Sequence, residues 1–162
     1  MRLNCFFDGS CGPTNPGGTA AYGFVIKHAG ETIQTGRGVI GKGPGMTNNV
    51  AEAQALSELL AVLLMDFAHA TEILIQGDSN IMIRQMNGKG KKQPKGHYAP
   101  YIAAAHVLAA KLRARCPVVS FAWIPREQNH EADALADFGN GWQWRQADNL
   151  DRELAARIER EP

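Results

Sequence analysis

Ile73-Leu74-Ile75 is a short, wholly apolar run in the middle of the chain, and Gly77-Asp78 ends it two residues later. Such a run predicts a β-strand buried on both faces, which is typical of parallel strands in α/β proteins. Residues 48–66, which precede the run, carry an apolar stripe at helical spacing: Leu56, Leu59, Leu60, Leu63 and Leu64. A helix that leads into a buried strand indicates the α/β class.

Toward the N-terminus, the pattern predicts three strands joined by short connections. Leu3 to Phe7 forms the first strand, which is expected to end at Asp8-Gly9. Tyr22 to Ile26 and Thr32 to Ile40 form the next two. The connection at His28-Ala-Gly30 is short enough for an antiparallel hairpin. These three strands are therefore expected to be antiparallel neighbours.

Toward the C-terminus, helices alternate with one more strand. The sequence predicts a brief helix at 80–87, a basic loop, a helix at 101–114, a strand over Val118 to Trp123 and a helix over Asn129 to Phe138. Strands that are entered by crossover helices run parallel. The prediction is an α/β fold with one five-stranded mixed sheet, three antiparallel strands and then two parallel, flanked by helices.

The composition is typical of a soluble globular protein. The chain has 162 residues, 44% hydrophobic and 20% charged, with a formal net charge of +1. This size predicts one domain at residues 1–140, followed by a charge-rich tail at 141–162 that could form a surface helix. No apolar run approaches the ~20 residues of a membrane span, and residues 1–10 lack the apolar core of a signal peptide. Three cysteines without metal-ligand spacing fit a reducing, cytoplasmic setting.

Four acidic residues occupy element ends that this topology would bring to one rim of the sheet. Asp8 and Asp78 close two strands, and Glu52 and Asp133 lie in the first turns of two helices. Open α/β sheets place their functional sites at such a rim. The four carboxyl groups are therefore predicted to lie close together.

Each acid alone has a purely structural explanation. Asp8 could belong to a turn, and Asp78 could cap the helix that follows it. Glu52 could satisfy the N-terminal amides of its helix, and Asp133 could be a solvated acid favoured by a helix dipole. Singly, none of the four indicates a function.

As a group, the four acids destabilise the fold unless a cation binds among them. Two carboxylates about 4 Å apart repel by about 4 kcal/mol at an effective dielectric of about 20. Oxygen ligands without cysteine or histidine favour Mg²⁺, with Mn²⁺ as a substitute, over zinc. Two such ions about 3.5–4 Å apart can activate a water and stabilise the leaving oxygen of a phosphodiester. The group therefore indicates metal-dependent phosphodiester hydrolysis.

Four segments resemble, in order and spacing, the signature segments of the ribonuclease H type 1 family. They are Phe6-Phe7-Asp8-Gly9-Ser10, Thr47-Asn48-Asn49-Val50-Ala51-Glu52, Gly77-Asp78-Ser79 and Asn129-His-Glu-Ala-Asp133. The resemblance covers residues 3–138 and is closest to the archaeal-like branch, which lacks a long basic protrusion. Here the corresponding segment, residues 87–95, is short and rich in glycine.

This resemblance implies a ribonuclease H-like fold and an endonuclease that hydrolyses the RNA strand of RNA–DNA hybrids with two Mg²⁺ ions, leaving 5′-phosphate and 3′-hydroxyl ends. The implied catalytic acids and metal ligands are Asp8, Glu52, Asp78 and Asp133. The implied substrate-binding residues are Gly9, Ser10, Asn48, Asn49 and Asn129. Arg126 is the candidate for assisting product release, whereas His130 is expected to be a surface residue.

The basic loop between the two middle helices contains Lys89, Lys91, Lys92 and Lys95. Because it follows the helix that starts after Asp78, it is expected to flank the substrate groove, where lysines would meet backbone phosphates. A solvated loop that only aids solubility is the alternative. The expected partner is the hybrid alone, without a membrane or a protein partner, and the chain is expected to be a monomer.

Two other functions remain open from the sequence. The first is a hybrid-binding domain that has lost catalysis, but the intact set of four acids argues against it. The second is a related DNA nuclease, such as a junction resolvase or a proofreading exonuclease. Such exonucleases open with an Asp-x-Glu pair, whereas Asp8 is followed here by Gly9-Ser10.

Overall fold

A computed structural model describes residues 1–140 of the chain. The elements in this part follow the predicted order. They are β1 (Arg2–Gly12), β2 (Thr19–His28), β3 (Glu31–Lys42), α1 (Asn48–Asp66), β4 (Glu72–Gly77), α2 (Asn80–Met86), α3 (Ala99–Arg113), β5 (Val118–Trp123) and α4 (His130–Asn140), with a turn of 3-10 helix at Arg126–Gln128 between β5 and α4. The predicted tail at 141–162 lies outside the described residues.

The strands form one sheet in the order β3-β2-β1-β4-β5. β1 pairs with β2, and β2 with β3, in antiparallel orientation. β1 pairs with β4, and β4 with β5, in parallel orientation. The predicted mixed sheet is therefore confirmed, and β1 lies at its centre, between the antiparallel and the parallel halves.

β1 continues beyond the predicted end at Asp8. Residues 8–12 remain paired with β2, so that Asp8 lies opposite Gly23 and Gly12 opposite Thr19. These residues are small or polar and show no apolar alternation, so only their pairing with β2 reveals them as a strand. The prediction that the strand ends at Asp8-Gly9 was wrong.

The expectation that β4 is buried on both faces was also wrong. Ile73 and Ile75 are buried, but Leu74, between them, is only half-buried. The buried face belongs to the main core, where α1 and α3 pack. On the other face, α4 packs over β1, β2 and β3. The asymmetry follows because neighbouring side chains of a strand point to opposite faces of the sheet.

The main core lies between the sheet and the helices α1 and α3. Four of the five leucines of the predicted α1 stripe are buried, and Leu64 is only partly so. Fully buried partners include Leu3, Phe7, Ile73, Ile102 and Leu112. Among the described residues, the helices lack the length and apolar character that crossing a membrane requires.

Candidate active site

A cleft of about 340 Å³ opens at the rim of the sheet where β4 ends. Its lining is almost entirely polar: Asp8, Gly9, Ser10, Cys11, Asn15, Asn48, Asn49, Glu52, Asp78, Ser79, Arg126, Asp133 and Asp137. All four predicted acids are present, as the topology led us to expect. Carboxylate oxygens of Asp8, Glu52 and Asp78 lie within 4.8 Å of one another.

The parallel pairing of β1 with β4 brings the two strand aspartates together. Phe6 lies opposite Gln76 in this pairing. Two residues further along the chain are Asp8, still within β1, and Asp78, directly after the end of β4, so both carboxyl groups emerge at the same rim. Sheet register thus juxtaposes two acids that are far apart in sequence.

Glu52 reaches the same point because α1 packs directly on β1 at Gly9. A Cβ at Gly9 would lie 2.2 Å from the carbonyl carbon of Ala51 and 2.3 Å from the backbone nitrogen of Glu52. Only glycine permits this approach. The packing of α1 is therefore a structural reason for glycine at position 9, and the implied contact of Gly9 with substrate stays a prediction.

Asp133 lies in the first turn of α4. The hydroxyl of Ser10 donates a hydrogen bond to the carbonyl oxygen of Ala136, one turn further along the same helix, at 3.1 Å. Ser10 is itself buried. It therefore lines the cleft and also links β1 to the helix that carries the fourth acid.

Other residues perform the structural roles that could have explained the acids. Thr47 caps α1 by accepting a hydrogen bond from the Val50 N–H at 3.0 Å. Ser79 caps α2 by accepting one from the Met82 N–H at 3.3 Å. Asp8 lies within a paired strand rather than in a turn. Helix capping and turn formation therefore do not account for Glu52, Asp78 or Asp8.

Burial and mutual repulsion disfavour ionisation of the clustered acids. Burial, reinforced by the charges of Glu52 and Asp78, raises the pKa of Asp8 well above its ordinary value. Burial also raises the pKa of Glu52 to about 8, although the Gly9 backbone N–H partly opposes the shift. The pKa of Asp78 is raised for the same reason, burial. Among residues 1–140, the buried Oε2 of Glu52 has no hydrogen-bond partner.

This arrangement suits a hard cation. Mg²⁺ binds carboxylate oxygens and retains several waters, which an open polar cleft allows. A cation would relieve the repulsion among the acids and provide a partner for the unpaired oxygen of Glu52. Asp8, Glu52 and Asp78 could hold such an ion, and Asp133 lines the same cleft.

Arg126 provides a positive charge at the edge of the acidic group. Its Nη2 lies 3.8 Å from Oδ1 of Asp133, and its side chain is 71% exposed. The charge of Asp133, followed by those of Asp8 and Asp78, raises the pKa of Arg126. An exposed pair at this distance contributes little to stability. Arg126 is thus close to the acids without being held rigidly against them.

Some predicted site residues lie elsewhere. Asn129 is only 2% exposed, and its Nδ2 donates to the backbone carbonyl of Phe7 at 2.9 Å. It therefore supports the backbone of β1 next to Asp8, and its contact with substrate stays a prediction. The four predicted lysines are exposed on the loop between α2 and α3 and do not line the cleft. His130 is exposed, as expected.

Four residues that line the cleft were not predicted from the sequence: Cys11, Asn15, Ser79 and Asp137. Asp137 follows Asp133 by four positions, a spacing that places two side chains on the same face of a helix and could have identified it. Ser79 directly follows Asp78. Asn15 accepts a hydrogen bond through Oδ1 from the Asn48 backbone N–H at 3.0 Å. No local sequence pattern signals that contact.

Comparisons with known proteins agree with this geometry. Residues 6–139 match the model of the family described as reverse transcriptase-like. The bifunctional protein Rv2228c of Mycobacterium tuberculosis is 33% identical over 127 residues, which are 76% of this chain and 31% of that protein. The chain thus spans about a third of the length of the curated relatives it matches.

Solved structures of RNase H1 proteins are also similar to this chain. The N-terminal RNase H domain of Rv2228c is 27% identical, with a TM-score of 0.71 and coverage of 86% of this chain and 99% of that one. RNase H1 of the archaeon Halobacterium salinarum is 30% identical, with a TM-score of 0.69 and coverage of 86% and 97%. LC11-RNase H1, from compost, in complex with an RNA/DNA hybrid is 30% identical, with a TM-score of 0.72 and coverage of 86% and 96%. The chain therefore belongs to the ribonuclease H type 1 family.

Proposed function

We propose that this chain is an endonuclease that hydrolyses the RNA strand of RNA–DNA hybrids. The observation that carries the proposal is the convergence of Asp8, Glu52 and Asp78, from three different elements, to within 4.8 Å in an open cleft. The RNase H1 neighbours, one of them bound to a hybrid, support the choice of substrate.

The proposed cofactor is Mg²⁺, two ions during catalysis, with Mn²⁺ as a substitute. Asp8, Glu52, Asp78 and Asp133 would hold the ions. Bound there, they would lower the pKa of an attacking water and neutralise charge on the scissile phosphate. Because water rather than the 2′-hydroxyl would be the nucleophile, the products would carry 5′-phosphate and 3′-hydroxyl ends.

Asn48 and Asn49 are proposed to recognise the RNA strand. They begin α1, one and two residues after its cap, and both line the cleft beside Glu52. Carboxamides can donate to and accept from the 2′-hydroxyls displayed in the minor groove of a hybrid. Gly9 and Ser10 line the same cleft, where the β1 backbone would approach the RNA.

Arg126 is proposed to assist product release. A guanidinium can form two parallel hydrogen bonds with a phosphate. Because the Arg126 side chain is largely exposed and only 3.8 Å from Asp133, it could exchange this carboxylate for the new 5′-phosphate. The acids would then face a free cleft for the next substrate.

End-labelled RNA–DNA hybrid, incubated with the protein and either Mg²⁺ or EDTA, tests the proposal. Internal cuts in the RNA strand that require Mg²⁺ are expected, with ends that a 5′-phosphate-dependent exonuclease accepts. Single-stranded RNA, duplex RNA and duplex DNA serve as controls. Comparable cleavage of duplex DNA would indicate a DNA nuclease, and hybrid binding without cleavage would indicate a catalytically inactive relative.

We also propose that the chain acts as a monomer in the cytoplasm and needs no protein partner. Cys5, Cys11 and Cys116 are all unpaired thiols, which suits a reducing compartment. Size-exclusion chromatography with light scattering should give the chain mass of 17.6 kDa. A mass of twice that value would contradict the monomer.

A further inference from the structure

Trp123 contacts the backbone of a cleft acid from outside the cleft. It is the last residue of β5 and the only tryptophan among residues 1–140. Its indole N–H donates a hydrogen bond to the backbone carbonyl of Asp78 at 3.1 Å. The residue is 52% exposed, so burial of the ring does not by itself explain a tryptophan here.

The carbonyl of Asp78 belongs neither to the sheet nor to a helix. β4 ends at Gly77, α2 begins at Asn80, and Ser79 is the helix cap. A backbone carbonyl at such a junction has no partner in the hydrogen-bond ladder of a sheet or helix. The indole N–H is its partner, and it restricts the rotation of the Asp78–Ser79 peptide.

Gly77, the residue before Asp78, is held by contacts from the strands on both sides. The Gly77 carbonyl accepts a hydrogen bond from the Ile124 N–H at 2.9 Å, which continues the pairing of β4 with β5. On the β1 side, the ring of Phe7 packs so closely that a Cβ at Gly77 would lie 2.7 Å from it. With Gly77 held in place, the Trp123 contact restricts the rotation that remains at Asp78.

We propose that Trp123 is a positioning residue that orients Asp78 for metal binding through its indole N–H. The proposal rests on the metal-dependent function proposed above. Substitution of a residue that orients a metal ligand typically lowers metal affinity or activity by about 10–100-fold. A contact to the ligand's backbone belongs at the lower end of this range, so a change of about tenfold is expected.

Trp123→Phe removes the hydrogen-bond donor while it keeps an aromatic ring, although a smaller one, at the same position. Mn²⁺ binding, measured by calorimetry without nucleic acid, should weaken by about tenfold. The metal concentration for half-maximal activity should rise in parallel, while the KM for the hybrid stays the same. Val118→Ala, at the other end of β5 and similarly exposed, is the matched control and should bind Mn²⁺ as the wild type does.

Tryptophan fluorescence gives a second readout that does not depend on the folding of a Trp123 variant. In a Trp142→Phe/Trp144→Phe chain, Trp123 is the only tryptophan, so excitation that is selective for tryptophan reports on it alone. The emission of Trp123 should change when Mg²⁺ is added to this chain. It should not respond to Mg²⁺ when the chain also carries Asp78→Asn. Unchanged Mn²⁺ affinity in Trp123→Phe, or emission indifferent to Mg²⁺, would overturn the positioning role alone. A wild-type chain that binds no Mn²⁺ would overturn the proposed metal-dependent function as well.

Discussion

The acidic cleft and the lysine loop, residues 87–97, concentrate opposite charges in different ways. The four predicted cleft acids come from separate parts of the chain, and Asp8 and Glu52 are buried. The four lysines lie within one segment, residues 89–95, and all are exposed. The loop backbone is nevertheless held by α2, because the buried Gln85 donates to the Lys91 carbonyl at 2.9 Å. Its lysine side chains extend from a fixed backbone into solvent.

This difference determines how each region affects the stability of the folded, metal-free protein. Charges gathered in a buried site repel strongly, whereas exposed charges are screened by water and salt. The cleft should therefore destabilise the metal-free protein, and the lysine loop should not. Substitutions in the cleft are expected to change both chemistry and stability, and substitutions in the loop only the binding of substrate.

Asp78→Asn should have the largest effect on activity and the opposite effect on stability. Loss of a metal ligand should reduce kcat by about a thousandfold or more, since bound metal contributes several kcal/mol. In EDTA the variant should melt at the same temperature as the wild type or higher, because one repelling charge is gone. Hybrid cleavage and calorimetric melting measure the two effects.

Added Mg²⁺ provides the control for that prediction. An ion at about 100 times its Kd stabilises the folded state by about 2.7 kcal/mol. The wild type should gain this stability, and Asp78→Asn should gain much less. If Asp78→Asn instead melts well below the wild type in EDTA, the Asp78 side chain stabilises the metal-free fold. That result would contradict the conclusion that Ser79 alone caps α2.

Glu52→Gln should change how the stability of the metal-free protein depends on pH. Because burial raises the pKa of Glu52 from 4.5 to about 8, folding favours its protonated form. That stabilisation is complete below pH about 4.5 and is lost as pH rises toward 8. The raised pKa values of Asp8 and Asp78 act in the same direction. Melting temperatures in EDTA should therefore fall by several degrees between pH 5 and pH 8, and less in Glu52→Gln. Parallel curves would contradict the burial of an ionisable Glu52.

Asn48→Ala should weaken substrate recognition without weakening the helix. Removal of one hydrogen bond to the RNA costs about 1–1.5 kcal/mol, or about tenfold in KM. The Asn48 backbone N–H, which donates to Asn15, is retained in the variant. The matched control is Thr47→Ala, which removes the α1 cap and should cost about 1 kcal/mol of stability. If Asn48→Ala lowers the melting temperature as much as Thr47→Ala does and leaves KM unchanged, Asn48 is structural.

Apolar patterning and the rules of strand connection predicted the mixed sheet and the meeting of the acids at its rim. They did not predict that β1 continues to Gly12, because residues 8–12 carry no apolar alternation and become a strand through pairing with β2. They also did not predict the open face at Leu74, which depends on where α4 packs.

The side-chain roles around the site depended on contacts that no local pattern encodes. Asn129 was identifiable as part of a signature segment, but its burial and its bond to the Phe7 carbonyl follow from how α4 meets β1. The link from Trp123 to Asp78 depends on the register of β5 with β4. Local sequence thus indicated which residues matter, and tertiary packing decided what each one contacts.

The smallest effect is expected from the lysine loop. The lysines do not line the acidic cleft, so they can contact the hybrid only where its backbone extends beyond the cleft. Their proposed role is to meet phosphates, which position a nucleic acid without reading its sequence. Replacing Lys89, Lys91, Lys92 and Lys95 with alanine should weaken hybrid binding several-fold at low salt.

The salt dependence of binding distinguishes this role from simple solubility. Each lost phosphate contact should flatten the plot of log affinity against log salt by somewhat under one unit, about 0.7–0.9. Turnover at saturating hybrid should stay near the wild-type value, because the acids and their neighbours are untouched. The measurement is a binding titration at several salt concentrations, with Lys42→Ala, on β3, as a single-charge control outside the loop. If both affinity and slope remain at wild-type values, the loop does not contact substrate, and the phosphates beyond the cleft must be held by another surface, such as α3.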